Sequence, residues 1–251
     1  MNQVAIGAVA FVCLFGGALL GMRLRARLPQ HHVADDSRRL LEVGLGIVGT
    51  MAGLVLGLLV SSATGTYNAQ RDELLDVSSK TVLIDRILAH YGPQAEPARR
   101  SLRKTVELAL DRMWPQEAVP AGKIHASAMG GETVLDDLEN LTPATDRQRS
   151  LKPEAIALAT SLGQTRWLME AQTRQSISEP LLVLLVFWFT ITFVGFGLFS
   201  PPNGTVIVAL ALAALAVSGA IFITAEMYAP FEGLVKLSSQ PLRDALSHLG
   251  R

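Results

Sequence analysis

The chain has 251 residues, 49% of them hydrophobic and 18% charged, and its 22 basic and 22 acidic side chains cancel. Neutrality excludes the overall basic excess expected of a nucleic-acid binder, and 49% apolar content is high for a soluble domain, so the apolar residues must be gathered into segments. Cys13 is the single cysteine, which excludes an internal disulfide or a thiolate metal cluster.

Residues 4–22 carry no charge, and Arg23 ends the run. As a helix this stretch rises about 28 Å, enough to cross a hydrocarbon core. A cleaved signal peptide is the competing reading, but Met1, Asn2 and Gln3 supply no basic start, and Arg23, Arg25 and Arg27 follow the apolar run instead of preceding it. A second charge-free run covers 43–66, with Asp35, Asp36 and Ser37 as N-cap candidates for the helix leading into it. A third covers 181–199. Ser200-Pro201-Pro202-Asn203-Gly204 is then a tight hairpin, and 205–225 returns across the bilayer. In hydrocarbon every backbone amide must be bonded within its own segment, so the four runs are expected to be helices.

Between Tyr67 and Glu179 the composition becomes that of a soluble protein, with 14 of the 22 Lys and Arg residues. Leu74, Val77, Thr81, Ile84, Leu88 and Tyr91 recur three and four apart, predicting a helix that continues out of the second span and stops at Gly92-Pro93. Leu102, Val106, Ala109 and Met113 predict a second helix. Leu151, Ala155, Leu158, Leu162, Thr165 and Met169 predict a third, leading to the third span. The stretch 116–149 reads as a loop with a short helix near 134–141. The expected fold class is therefore an all-α membrane protein, with four transmembrane helices and a helical soluble insert between the second and third. Its parts are a helix pair at 1–66, the insert at 67–179, a second pair at 180–226 and a C-terminal segment at 227–251.

Four spans place both termini and the insert on one side. Arg23, Arg25, Arg27, Arg38 and Arg39 sit on the other, against Arg71, Lys80, Arg166, Arg174, Lys236 and Arg243 near the remaining span ends. The positive-inside rule leaves these counts nearly balanced, so orientation stays open.

After the fourth span come Glu226, Pro230, Phe231, Gly233 and Pro241, an acidic residue at a membrane border followed by Pro-Phe, Gly and Pro-Leu. This segment resembles the one after the last span of bacterial bestrophins. With Arg27-Leu28-Pro29-Gln30-His31-His32, residues 44–70 and the hairpin from Gly197 to Val206, most of the chain resembles a bacterial family of bestrophin-like membrane proteins. More distantly it is similar to the bestrophin anion channels. The resemblance implies a bacterial inner membrane, an insert in the cytoplasm, a homo-oligomer that is pentameric, and a second span beside the axis. Two family features are not carried over: residues 43–66 contain no aromatic side chain for the neck, and no acidic cluster for calcium follows Glu226.

Gly49, Gly53 and Gly57 fall four apart and form a groove suited to helix packing. Around the helix from them lie Ile47, Thr50, Leu54, Leu58 and Ser61. With five copies around an axis, Thr50 and Ser61 could replace part of an anion's hydration while Leu54 and Leu58 form a dewetting constriction. Arg23, Arg25, Arg27, Arg38 and Arg39 either concentrate anions at a pore mouth or anchor the loop to acidic headgroups. Glu226 is expected to pair with an Arg or to cap the Pro-Phe segment. Phe187, Trp188 and Phe189 suit lipid or interhelical packing.

His31 and His32 beside Asp35 and Asp36 lack a second ligand pair, so no metal is assigned. Asp136, Asp137 and Glu139 read as a solvated face. No phosphate loop, zinc helix or serine elbow is present, so neither catalysis nor a cofactor is expected. The expected partners are membrane lipid, further copies of the chain and, in a conducting form, anions; nucleic acid is not among them. The leading function is an anion-permeable channel. The alternative is a non-conducting membrane scaffold or signalling protein whose soluble helices bind a partner.

Overall fold

The computed structural model describes residues 3–27, 35–114, 130–173, 179–231 and 233–250, with the side chains of 35–38, 130–132 and 170–173 left out. His31 and His32, and the side chains of Asp35, Asp36 and Arg38, lie outside this description. Among the described residues there are eight α-helices and no strand. They are α1 (Gln3–Arg27), α2 (Asp35–Tyr91), α3 (Glu96–Met113), α4 (Gly130–Glu139), α5 (Asp146–Thr173), α6 (Glu179–Phe199), α7 (Gly204–Met227) and α8 (Gln240–His248). Helices α1, α2, α6 and α7 are long and apolar enough to cross a membrane, and the chain is an all-α membrane protein with four spans.

The chain divides into two compact units. One comprises Met1–Tyr67 and Gln175–Lys236, and the other Asn68–Arg174 and Leu237–Arg251. Residues 227–251, read from the sequence as one segment, are thus shared between them.

In the first unit α1 packs along α6 and α7. Leu14, Ala18, Ala52, Leu59, Leu185, Phe193, Ala214 and Ile221 belong to one buried cluster to which all four spans contribute. Lipid is as apolar as these side chains, so close packing must hold the helices together. The α1–α6 seam supplies it: a Cβ built on Gly21 would strike the Val194 carbonyl, and one on Gly197 would strike the Ala18 carbonyl. Pro201 and Pro202 separate α6 from α7, which restarts where Asn203 Oδ1 accepts the Val206 amide at 2.9 Å.

In the second unit α2 buries Leu74, Thr81, Ile84, Leu88 and Tyr91 of the predicted stripe. It ends at Gly92, whose φ of 112° is open only to glycine without strain, and a 3-10 turn over Pro93–Ala95 leads into α3. The short helix near 134–141 runs instead from Gly130 to Glu139, and α5 starts at Asp146, earlier than its apolar stripe shows. Its start is a capping box: Thr145 Oγ1 accepts the Gln148 amide at 3.2 Å and Gln148 Oε1 accepts the Thr145 amide at 3.3 Å. The same Gln148 donates through Nε2 to the Tyr91 carbonyl at 2.8 Å, which joins the start of α5 to the end of α2.

Helix α8 has no counterpart in the sequence reading. It buries Leu242 and Ala245 and packs on α3, while Trp114 Nε1 donates to the Leu237 carbonyl at 2.9 Å. Beyond it, Arg103 donates to the Leu249 carbonyl, and the Gly250 amide donates to Asp85. Asp85 is buried, and Arg99 grips both of its oxygens at 2.8 and 3.0 Å. That hydrogen bond holds the Arg99 guanidinium above its ordinary range.

Candidate functional site

Within α2, Ala52, Leu59 and Ala63 are buried, which defines the side of the helix that meets its own bundle. Against α6 the contact is close, because Leu45 lies where a Cβ on Gly195 would be and the Thr192 methyl lies 3.4 Å from a Cβ built on Gly49. Successive residues turn by about 100°, so the opposite side carries Ile47, Thr50, Leu54, Leu58 and Ser61. All five are exposed in the single chain, Leu54 by 66% and Leu58 by 64%. Taken over whole spans, 11% of the apolar window of α2 is buried, against 33% in α1, 33% in α6 and 22% in α7.

Of the three glycines read as a packing groove, Gly49 alone meets a neighbour. Among the described residues a Cβ on Gly53 or Gly57 would find open space. The glycines on which neighbouring backbone lies closest in this unit are Gly21 and Gly197. Their sequence signal, Gly17 and Gly21 four apart in α1 with Gly195 and Gly197 in α6, is as strong as that of α2.

The hydroxyls on the open face differ in chemistry. Thr50 Oγ1 donates to the Gly46 carbonyl at 2.8 Å, so its proton is committed within the helix and it turns lone pairs outward. Ser61 makes no such bond to a described residue and keeps a donor. Further along, Ser62 Oγ accepts from Tyr228, and Thr64 donates to the Val60 carbonyl. The Tyr228–Ser62 contact ties α2 to the end of α7.

Glu226 is 2% exposed at the end of α7, and its Oε2 accepts the amides of Leu234 and Val235, the second at 3.2 Å. The carboxylate thereby closes the turn that carries Pro230 and Phe231. Gly233 is required in it, since its φ is 84° and a Cβ there would lie on the Glu226 carboxylate. Pro241 occupies the first turn of α8. Arg23, Arg25 and Arg27 are exposed at the end of α1, and Arg39 is exposed near the start of α2. Phe189 enters the membrane core, whereas Phe187 is exposed. Ser101 donates to Asp137, so that carboxylate is engaged within the fold. Among the described residues no group of three His, Cys, Asp or Glu side chains could hold a metal ion.

A family model described as Bestrophin-like domain matches residues 12–242. No curated protein matches the chain. A crystal structure described as "a membrane protein P143A" aligns over 98% of this chain and 99% of its own, with a TM-score of 0.67 at 11% identity, a likeness of fold.

Proposed function

The chain belongs to the bestrophin-like family, and from that premise we propose that it forms a homo-oligomeric, anion-permeable channel with α2 beside the symmetry axis. One observation carries this reading: α2, the least covered span, turns Ile47, Thr50, Leu54, Leu58 and Ser61 away from its own bundle. Around an axis, Leu54 and Leu58 form the narrow apolar segment that gates by dewetting, with a hydroxyl on either side of it. Ser61 is the anion-facing donor of the pair, because the Thr50 proton is already given to Gly46. Arg23, Arg25, Arg27 and Arg39 raise the anion concentration at the membrane surface.

Anion flux from liposomes holding the purified protein tests the proposal. Leu54→Ala with Leu58→Ala raises the flux by widening and wetting the constriction, and Ser61→Ala lowers it more than Thr50→Val does. Absence of flux from both the wild type and the Leu54→Ala/Leu58→Ala variant removes the channel assignment. It would favour the second reading, a scaffold, which rests on Trp167 and Leu168 standing exposed on α5 of the insert.

A further inference from the structure

Two solvent-facing helices of the second unit differ in character. The exposed side of α3 is charged, with Arg100, Arg103, Lys104, Glu107 and Asp111. That of α5 offers Ala157, Thr160, Gln164, Trp167 and Leu168, with Glu154 as the one exposed charge between residues 153 and 168, Arg166 being half-buried. Trp167 is 74% exposed. Thr160 donates its proton to the Ile156 carbonyl, which leaves the face still less polar. A helix side with a single exposed charge and an exposed indole is what a covered surface looks like before its cover is added.

A matching surface lies on α2. Leu75 and Leu83 are exposed there with Ser79 between them and Arg86 beyond. The two helices run antiparallel: Thr165 donates to Asp76 at 3.1 Å, and Gln148 reaches Tyr91 at the other end. Arg86 is ten residues from Asp76 and Glu154 is eleven from Thr165, so each lies about 15 Å along its helix from that contact. By the same measure Leu83 is level with Ala157, and Leu75 with Trp167. Neither Arg86 nor Glu154 has an ion-pair partner among the described residues. A rotation about an axis parallel to α2 leaves every height unchanged, so in a ring these levels meet between neighbours.

We propose that the α5 face bearing Trp167 seats on the α2 face bearing Leu75 and Leu83 of a second copy of this chain, with Glu154 opposite Arg86 of that copy. The contact is head-to-tail and closes a ring, and it rests on the oligomer proposed above. Leu83 enters the space left by the small residues Ala157 and Thr160, while Trp167 covers Leu75.

The test uses full-length protein in a Cys13→Ser background, with its mass measured in detergent before a short bifunctional thiol reagent is added. Leu83→Cys combined with Ala157→Cys is expected to give a ladder of cross-linked chains up to the full oligomer, and neither single variant to give one. A ladder from Leu83→Cys alone would mean that α2 faces its own copies at this level, and would overturn the inference. An oligomer with no ladder from the double variant would also overturn it, while leaving the oligomer reading intact; a monomer would remove both. Independently, Arg86→Glu raises the concentration needed for assembly by about fivefold, and adding Glu154→Arg reverses the change. Failure of that reversal would contradict the pairing.

Discussion

Gly17 and Gly21 of α1 and Gly53 and Gly57 of α2 are spaced alike, yet they meet opposite surroundings. At Gly21 the α6 backbone occupies the place of a Cβ, whereas beside Gly53 and Gly57 no described residue lies within reach. Glycine spacing therefore marks where a backbone can come close, not whether one does. The seam closed inside the chain holds α1 against α6. The open one leaves α2 joined to its bundle along a single stripe, with its other face free for lipid or for further copies.

The sharpest way to break this contrast is to fill both seams. Gly197→Leu is expected to cost about 3 kcal/mol or more, since the side chain must displace the α1 backbone, and thermal unfolding in detergent should show loss of the folded protein. Gly53→Leu should leave the unfolding of the single chain nearly unchanged; if it dissolves an oligomer, the open groove is used between copies.

Of comparable size is the buried pair of the second unit. Arg99→Ala leaves Asp85 buried with its charge balanced no longer, at a cost of about 3 to 5 kcal/mol, and should free the C-terminal residues to proteolysis. Glu226→Ala, which strands the Leu234 and Val235 amides, should cost about 2 to 4 kcal/mol and expose the turn between α7 and α8 to protease.

The smallest effect is at Tyr91. Its hydroxyl is buried without a partner among the described residues, and burial pushes the phenol above its ordinary value near 10. The folded state thus favours the neutral phenol, whose contribution is whole below roughly pH 10 and is lost as pH rises through the raised value. Tyr91→Phe should flatten the alkaline fall in melting temperature and leave stability at neutral pH equal or higher by about 1 kcal/mol.

The spans were legible because a charge-free run of about twenty residues has few other homes. The stripe from Leu74 to Tyr91 was legible because the helical period is local. What escaped the sequence was long-range. Trp114 meets Leu237, and Gly250 meets Asp85, across more than a hundred residues, with no periodicity to announce either contact. Helix α8 is too short for its apolar positions to stand out. The start of α5 could have been found, since Thr145 and Gln148 form a Thr-x-x-Gln box ahead of Leu151. For the candidate site, the exposed face of α2 follows from its period, but which glycines close on a neighbour depends on helix placement, which composition does not encode.

The most direct measurement is the reactivity of single cysteines in a Cys13→Ser background, reconstituted in liposomes and treated with a charged, water-soluble thiol reagent. If α2 borders a hydrated axis, Thr50→Cys and Ser61→Cys react at least tenfold faster than Phe187→Cys on α6 and Leu212→Cys on α7, which are equally exposed in the single chain but face lipid. Equal and negligible reactivity at all four positions would contradict the account.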